Sequence, residues 1–376
     1  MNAGRRYDLD WIRVLVFGVL IFYHIGMIYV PWTFHLNSHP PIGWLELPMS
    51  FSSLFRLSLL FMISGIVSRY MLDKMQPGYF AQSRVTRLLV PLVVAVTVFL
   101  PPQAYVEAVD KAIFQGDYFT FWRTVYFSGS WPEGMMAPFP TYNHLWYVAY
   151  LFIYSLILAA MVSLYKKVCP ESLLLSIKRG IDWALSGWRL LVLPLLYYFS
   201  ISVPLTTHYA ETHAFVGDWG AHSKYGFIFI LGYLIAKREG SWATIYKALP
   251  LVALITVLSV LALLDARFSG DNFYVSSYDV GAVFRWSIIL AIFGLGMRYL
   301  NKSSRPLEYL SSAVYPFYII HQTILLISFF YIRTYDLEDS IEASLLILIT
   351  FAGCFVFYEI LKRLTYIRPL IGLKRT

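Results

Sequence analysis

Arg13 and His24 stand eleven residues apart inside an otherwise apolar stretch, 12–31. At about 100° per residue that interval is three helical turns plus roughly 20°, so both side chains project from one face. The rise between them is about 16 Å. Neutral imidazole is a competent general base near pH 7, and a guanidinium attracts anionic oxygens. Each residue also has a plainer reading. Arg13 could snorkel to an interface or pair with Asp10, and His24 could simply hydrogen-bond a neighbouring helix. Arg56 lies in the run 55–65, about two turns from the end of its segment. A charge at that depth needs a partner, a wet cavity or an anionic ligand.

Arg84 and Arg87 open another apolar segment, three residues apart, so a helix puts them on one face. Two guanidinium forks side by side suit phosphate oxygens, or equally an anionic lipid headgroup. His144, Trp146 and Tyr147 cluster where a further segment begins; they could hold a polar ligand or form part of an interfacial aromatic belt. His321 falls mid-segment in Tyr315-Pro316-Phe317-Tyr318-Ile319-Ile320-His321, and a second histidine at membrane depth favours a polar cavity. Trp44 and Glu46 stand in the loop before the second segment, and Arg285 near the end of its own, where a structural role is expected. The eight histidines show no His-x-x-x-His or His-x-His spacing backed by acids, so no metal site is expected. The two cysteines, Cys169 and Cys354, fall in a loop and inside a span, which predicts no disulfide.

These side chains must be positioned by a chain that is 58% hydrophobic and only 14% charged, against roughly 25% charged in a soluble domain. Its apolar stretches run about 17–25 residues, the length that crosses a bilayer. In lipid the backbone must bond to itself, so the stretches must be helices. The fold class is therefore an all-α integral membrane protein of about ten transmembrane helices. Their expected places are 12–31, 48–69, 86–107, 144–165, 189–207, 221–236, 246–264, 281–299, 313–332 and 342–361. The first stretch is longer than a signal-peptide core and reads as a retained helix. With the N-terminus inside, 22 of the 30 Lys and Arg residues fall in inside segments. That bias predicts both termini in the cytoplasm. It also explains the net charge of +8 without nucleic acid. The chain reads as one domain, 1–376, with no fused extracytoplasmic domain and no internal repeat. The longest outside loop, about 108–143, carries Phe114, Tyr118, Phe119, Trp122 and Trp131; loops of that length are more often functional than idle.

The combination resembles membrane acyltransferase family 3 over nearly the whole chain. The resemblance is carried by Arg13 and His24, Phe61-Met62-Ile63-Ser64-Gly65, Arg84 with Arg87, His144-Leu145-Trp146-Tyr147, and the segment from Tyr315 to His321. It implies ten core helices and transfer of an acyl group from cytoplasmic acyl-CoA to a sugar-like hydroxyl outside. It also implies that Arg13 and His24 are required for activity, and that Arg84 and Arg87 serve the donor. Acetyl is the family's commonest acyl group, and succinyl stays open beside it. The resemblance implies a bacterial inner membrane location.

The spacing supports such a reaction. The phosphates of acyl-CoA would rest on Arg84 and Arg87, and the thin pantetheine arm would enter along the face bearing Arg13. Its thioester would then approach His24, the general base on the acceptor hydroxyl. Arg56 would steady the developing oxyanion or orient His24. His144, Trp146, Tyr147, Trp44, Glu46 and His321 would line the acceptor's side. Direct attack needs no acyl-enzyme; Ser58 and Ser64 are weak candidates for one. Acyl-CoA is expected as a substrate, with no tightly bound cofactor. The rival of another class is a proton-coupled transporter of a sugar or lipid-linked substrate, since intramembrane His and Arg also serve carriers.

Overall fold

The computed structural model describes residues 5–129, 132–269 and 278–374, and the backbone alone of 273–277. Trp131 and Arg375 lie outside the described residues. Among the described residues the chain is helical throughout, without a strand. Among the described residues nine helices are long and apolar enough to cross a membrane: Tyr7–Gly26, Gly43–Leu72, Pro77–Asp110, Asn143–Val168, Trp188–His208, Leu249–Phe268, Tyr278–Leu300, Arg305–Tyr335 and Asp339–Leu361. They match nine of the ten expected segments. The tenth is helical over 219–235, with a π turn at His222–Gly226. At 1.5 Å per residue that run is about 25 Å long, shorter than the others.

Several long helices contain proline yet do not break. Pro91, Pro101 and Pro204 each follow a π turn, at Val85–Leu89, Ala95–Phe99 and Tyr198–Ser202. Proline lacks an N–H and its ring collides with the carbonyl four residues back, so the preceding turn widens by one residue. The pair Pro101-Pro102 is thereby absorbed inside one continuous helix, Pro77–Asp110.

The chain folds into two compact units. The first comprises Met1–Val16, Ser53–Ala81 and Ile153–Leu307. Two of its helices approach closely at Gly65 and Gly232. A Cβ on Gly65 would overlap the Phe229 carbonyl, and one on Gly232 would overlap the Met62 carbonyl. Only glycine lets two backbones meet this way within apolar surroundings. The unit also holds a helix between the expected segments 144–165 and 189–207, Glu171–Ala184.

Polar residues of the first unit are organised by charge. Glu211 takes hydrogen bonds from the Lys224 ammonium and, at 3.3 Å, from the Tyr225 hydroxyl. Asp218 caps the next helical turn and receives the His213 backbone N–H at 2.9 Å. The buried Arg285 donates to the Leu54 carbonyl at 2.7 Å. Burial by itself would raise the Glu211 carboxyl, but the Lys224 ammonium more than offsets this and holds it below the ordinary carboxylate value.

The second unit comprises Phe17–Ser52, Gln82–Phe152 and Glu308–Thr376. Its core gathers Ile21, Ile25, Phe317, Leu325, Phe329 and Leu346, among others. The long loop is not loose. It forms short helices at Tyr118–Phe121 and Trp122–Tyr126, and packs Phe121, Tyr126 and Phe139 against Ala104 and Ala108. The Trp122 indole donates to the Thr97 carbonyl at 3.0 Å, and the Tyr126 hydroxyl to the Val96 carbonyl at 2.9 Å. Thr97 is the residue whose carbonyl Pro101 cannot satisfy. The loop's aromatic rings supply the donors that proline removes.

Candidate active site

Three histidines from three helices meet in the second unit. His24 lies two residues before the end of Tyr7–Gly26, because that helix stops five residues earlier than expected. His144 sits in a single 3-10 turn, Asn143–Leu145, at the mouth of its helix. His321 comes from the middle of Arg305–Ile332. The ring centroids of His24 and His321 are 5.0 Å apart, those of His144 and His321 5.0 Å, and those of His24 and His144 6.0 Å. His144 and His321 are buried, at 6% and 0% exposure, whereas His24 is half-buried.

Hydrogen-bond polarity fixes where the protons sit. His321 Nδ1 lies 2.9 Å from the Tyr318 carbonyl oxygen, and a carbonyl can only accept. His321 Nδ1 therefore carries the proton and Nε2 the lone pair. His321 Nε2 lies 3.1 Å from His24 Nδ1, so His24 Nδ1 must donate. In a neutral ring that puts the lone pair of His24 on Nε2. The same Tyr318 carbonyl accepts from His144 Nε2 at 3.1 Å. His144 Nδ1 is then the acceptor nitrogen, buried and without a hydrogen-bond partner among the described residues. The Tyr318 hydroxyl closes the loop by donating to the His144 carbonyl.

A second chain of polar contacts, which the sequence reading missed, runs beside the histidines. Asn143 donates through its amide to His35 Nε2 at 2.8 Å and to Gln103 Oε1 at 3.0 Å. His35 donates in turn to Glu107, which also accepts from Lys111 at 2.6 Å and from the Met136 N–H at 2.7 Å. Gln103 accepts from Gln322 at 3.2 Å and donates to Thr323 at 2.6 Å. Asn143 adopts φ +40°, a left-handed conformation that asparagine tolerates better than most residues. Asn143 and Gln322 are the chain neighbours of His144 and His321, so this chain anchors both imidazoles from behind. The available signal was an acid and two amides within or beside apolar segments, Glu107, Gln103 and Gln322.

Other expected site residues are placed as follows. Trp146 and Tyr147 are buried, Trp146 edge-on to Tyr150 and Tyr147 6.2 Å from Tyr318. Trp44 is 75% exposed, and Glu46 accepts from the Trp32 indole at 3.1 Å. Arg84 is buried and Arg87 exposed, near enough to act on each other electrostatically. The π turn that starts after Arg84 turns less per residue than an α-helix and carries Arg87 away from it. In the first unit, Arg13 pairs with Asp10 at 3.4 Å, and the buried Arg56 acts electrostatically on His213 and Tyr225. No group of three or more His, Cys, Asp and Glu among the described residues is arranged to hold a metal.

Comparison with known proteins places this geometry in context. A family model described as "Acyltransferase domain" matches residues 6–359. The chain is similar to the Glucans biosynthesis protein C of Salmonella typhi, 23% identical over 378 residues, which covers 98% of this chain and 95% of the relative. It is similar to the protein of the same name from Salmonella paratyphi B, 24% identical over 386 residues, with the same shares. No solved structure matches the chain.

Proposed function

The chain belongs to the membrane acyltransferase family matched over residues 6–359, and from that premise we propose that it transfers acetyl or succinyl from cytoplasmic acyl-CoA to a hydroxyl of an extracytoplasmic glycan or other envelope acceptor, with His24 as general base. It is a multi-pass membrane acyltransferase. In this reading the protein lies in a bacterial inner membrane with its N-terminus inside. Counting the helical run 219–235 as a crossing returns the C-terminus to the same side.

The observation that carries the proposal is the 3.1 Å contact between His24 and His321, whose donor order leaves the lone pair on His24 Nε2. The acceptor oxygen loses its proton to that nitrogen as it attacks the thioester carbon. The tetrahedral intermediate then expels the CoA thiolate as the carbon–sulfur bond breaks. His24 returns the proton to the leaving sulfur, so the products are an ester and CoA–SH, and His24 ends as it began. His321 is a positioning residue that orients the imidazole and steadies the imidazolium through its own Nε2. Arg13 along the donor's path, Arg56 toward the oxyanion, and Arg84 with Arg87 at the CoA phosphates complete the set on grounds of sequence. On the acceptor's side stand His144, Trp146 and Tyr147, together with Trp44 and Glu46. The name of the Salmonella relatives favours a glucan as the acceptor.

The test is His24→Ala, assayed as CoA–SH release by purified protein and as ester content of envelope glycans by mass spectrometry. Loss of a general base predicts a fall of roughly 10²–10⁴-fold. Unchanged ester formation would overturn the assignment. Proton-dependent uptake of a solute without CoA–SH release would support the transporter reading instead.

A further inference from the structure

The first unit contains a cleft of about 900 Å3. One wall is the helix Glu171–Ala184, about 21 Å long and too short to span a bilayer. None of its residues is buried. Leu174, Ile177 and Ile181, spaced three and four apart, are half-buried and face the cleft. Lys178, four residues after Leu174, lines the cleft beside them, and Arg179 is exposed. An amphipathic helix too short to span, with apolar residues and cations together, suits a membrane interface. The facing wall is also apolar: Leu158, Met161 and Val162 from one helix, Ile230 and Leu234 from another.

Charge at the rim is unbalanced. Five cations line the cleft, Arg69, Lys166, Lys178, Lys237 and Arg238, against Asp73, Asp182 and Glu239. Asp73 is shared by Arg69 and Lys237, and Asp182 pairs with Arg238 at 2.7 Å. Lys166 and Lys178 form no ion pair among the described residues, and both are exposed. A free phosphate compound would meet these two ammonium groups but leave the apolar walls against water. A neutral lipid would fill the walls and leave the ammonium groups unmatched. Only an amphiphile with an anionic head satisfies both.

We propose that this cleft binds an anionic diacyl phospholipid of the adjacent leaflet, with an acyl chain between the helix Glu171–Ala184 and its facing wall and the headgroup phosphate at Lys166 and Lys178. The site involves none of the groups assigned to acyl transfer. The lipid would hold the amphipathic helix in the plane of the membrane.

Native mass spectrometry of the full-length protein tests this. The protein is purified in detergent, stripped of lipid, then titrated with phosphatidylglycerol or with phosphatidylcholine bearing the same chains. The expected result is retention of phosphatidylglycerol at roughly tenfold lower concentration, since each juxtamembrane cation adds to anionic-lipid attraction. The double variant Lys166→Glu/Lys178→Glu should erase that preference while still binding both lipids. Both side chains are exposed, so the variant should keep the parent's melting temperature, which is checked in parallel. Equal retention of the two lipids by the parent, or an undiminished preference in the variant, would overturn the proposal. So would full competition by glycerol 3-phosphate, which carries the phosphate without the chains.

Discussion

Two buried polar regions, one in each unit, solve the same problem by opposite means. The second unit joins His144 and His321 to the Tyr318 carbonyl and His24 to His321, all through ring nitrogens. The first unit gathers formal charges, the Lys224–Glu211 pair with Arg56 and Arg285 in its field. In the ionic region Lys224 answers Glu211 and Arg285 is met by the Leu54 carbonyl, contacts that hold helices together. In the imidazole region the N–H groups of His144 and His321 both point at one carbonyl, and His24 is tied to His321. The difference teaches that buried polarity by itself marks neither stability nor chemistry; the order of donors and acceptors does.

That contrast can be broken by mutation. The largest effect is expected from Lys224→Met, which strands Glu211: a stability loss of roughly 3 kcal/mol, read as a lowered melting temperature in detergent. The double variant Lys224→Met/Glu211→Leu should recover most of it. Next comes His321→Ala, expected to lower kcat about 10²-fold, near 2.7 kcal/mol, with little change in KM for acyl-CoA and melting. His321→Gln, which keeps an acceptor for His24 Nδ1, should restore part of the rate. Equal losses in rate and stability would make the two regions alike and defeat the comparison. A smaller effect follows from acid. Glu211 is held below its ordinary value, so its contribution is complete above about pH 4.3 and is lost as pH falls through the lowered folded value. Melting temperature measured against pH should show that loss in the parent and not in Glu211→Gln. The smallest is Trp122→Phe, which orphans the Thr97 carbonyl and should cost about 1 kcal/mol.

The spans were legible because bilayer thickness imposes one length on all of them, and nine helices fall where long apolar runs stand. The segment 219–235 was the weakest case, since its π turn and polar first turn shorten the apolar length. Helix Glu171–Ala184 escapes the length rule because its longest apolar run is Leu173-Leu174-Leu175, far short of a bilayer span. At the site, His24 and His321 are visible as costly residues at membrane depth and His144 as part of an aromatic cluster where its segment begins. Their convergence is not, because it depends on helix packing and on a turn at Asn143 that departs from helical geometry. His35 and Glu107 were missed for a related reason: one lies in a loop and the other near a helix end, where polarity is unremarkable until burial is known.

The indole of Trp122 on the Thr97 carbonyl has a mechanical consequence. A helix carrying two consecutive prolines is the natural place for a membrane bundle to flex, and here a surface segment splints it from the side. Stiffness within the bilayer thus depends on the integrity of chain outside it. Cleavage of the peptide between 111 and 121 would loosen the splint and soften that joint, with no change to any residue inside the membrane.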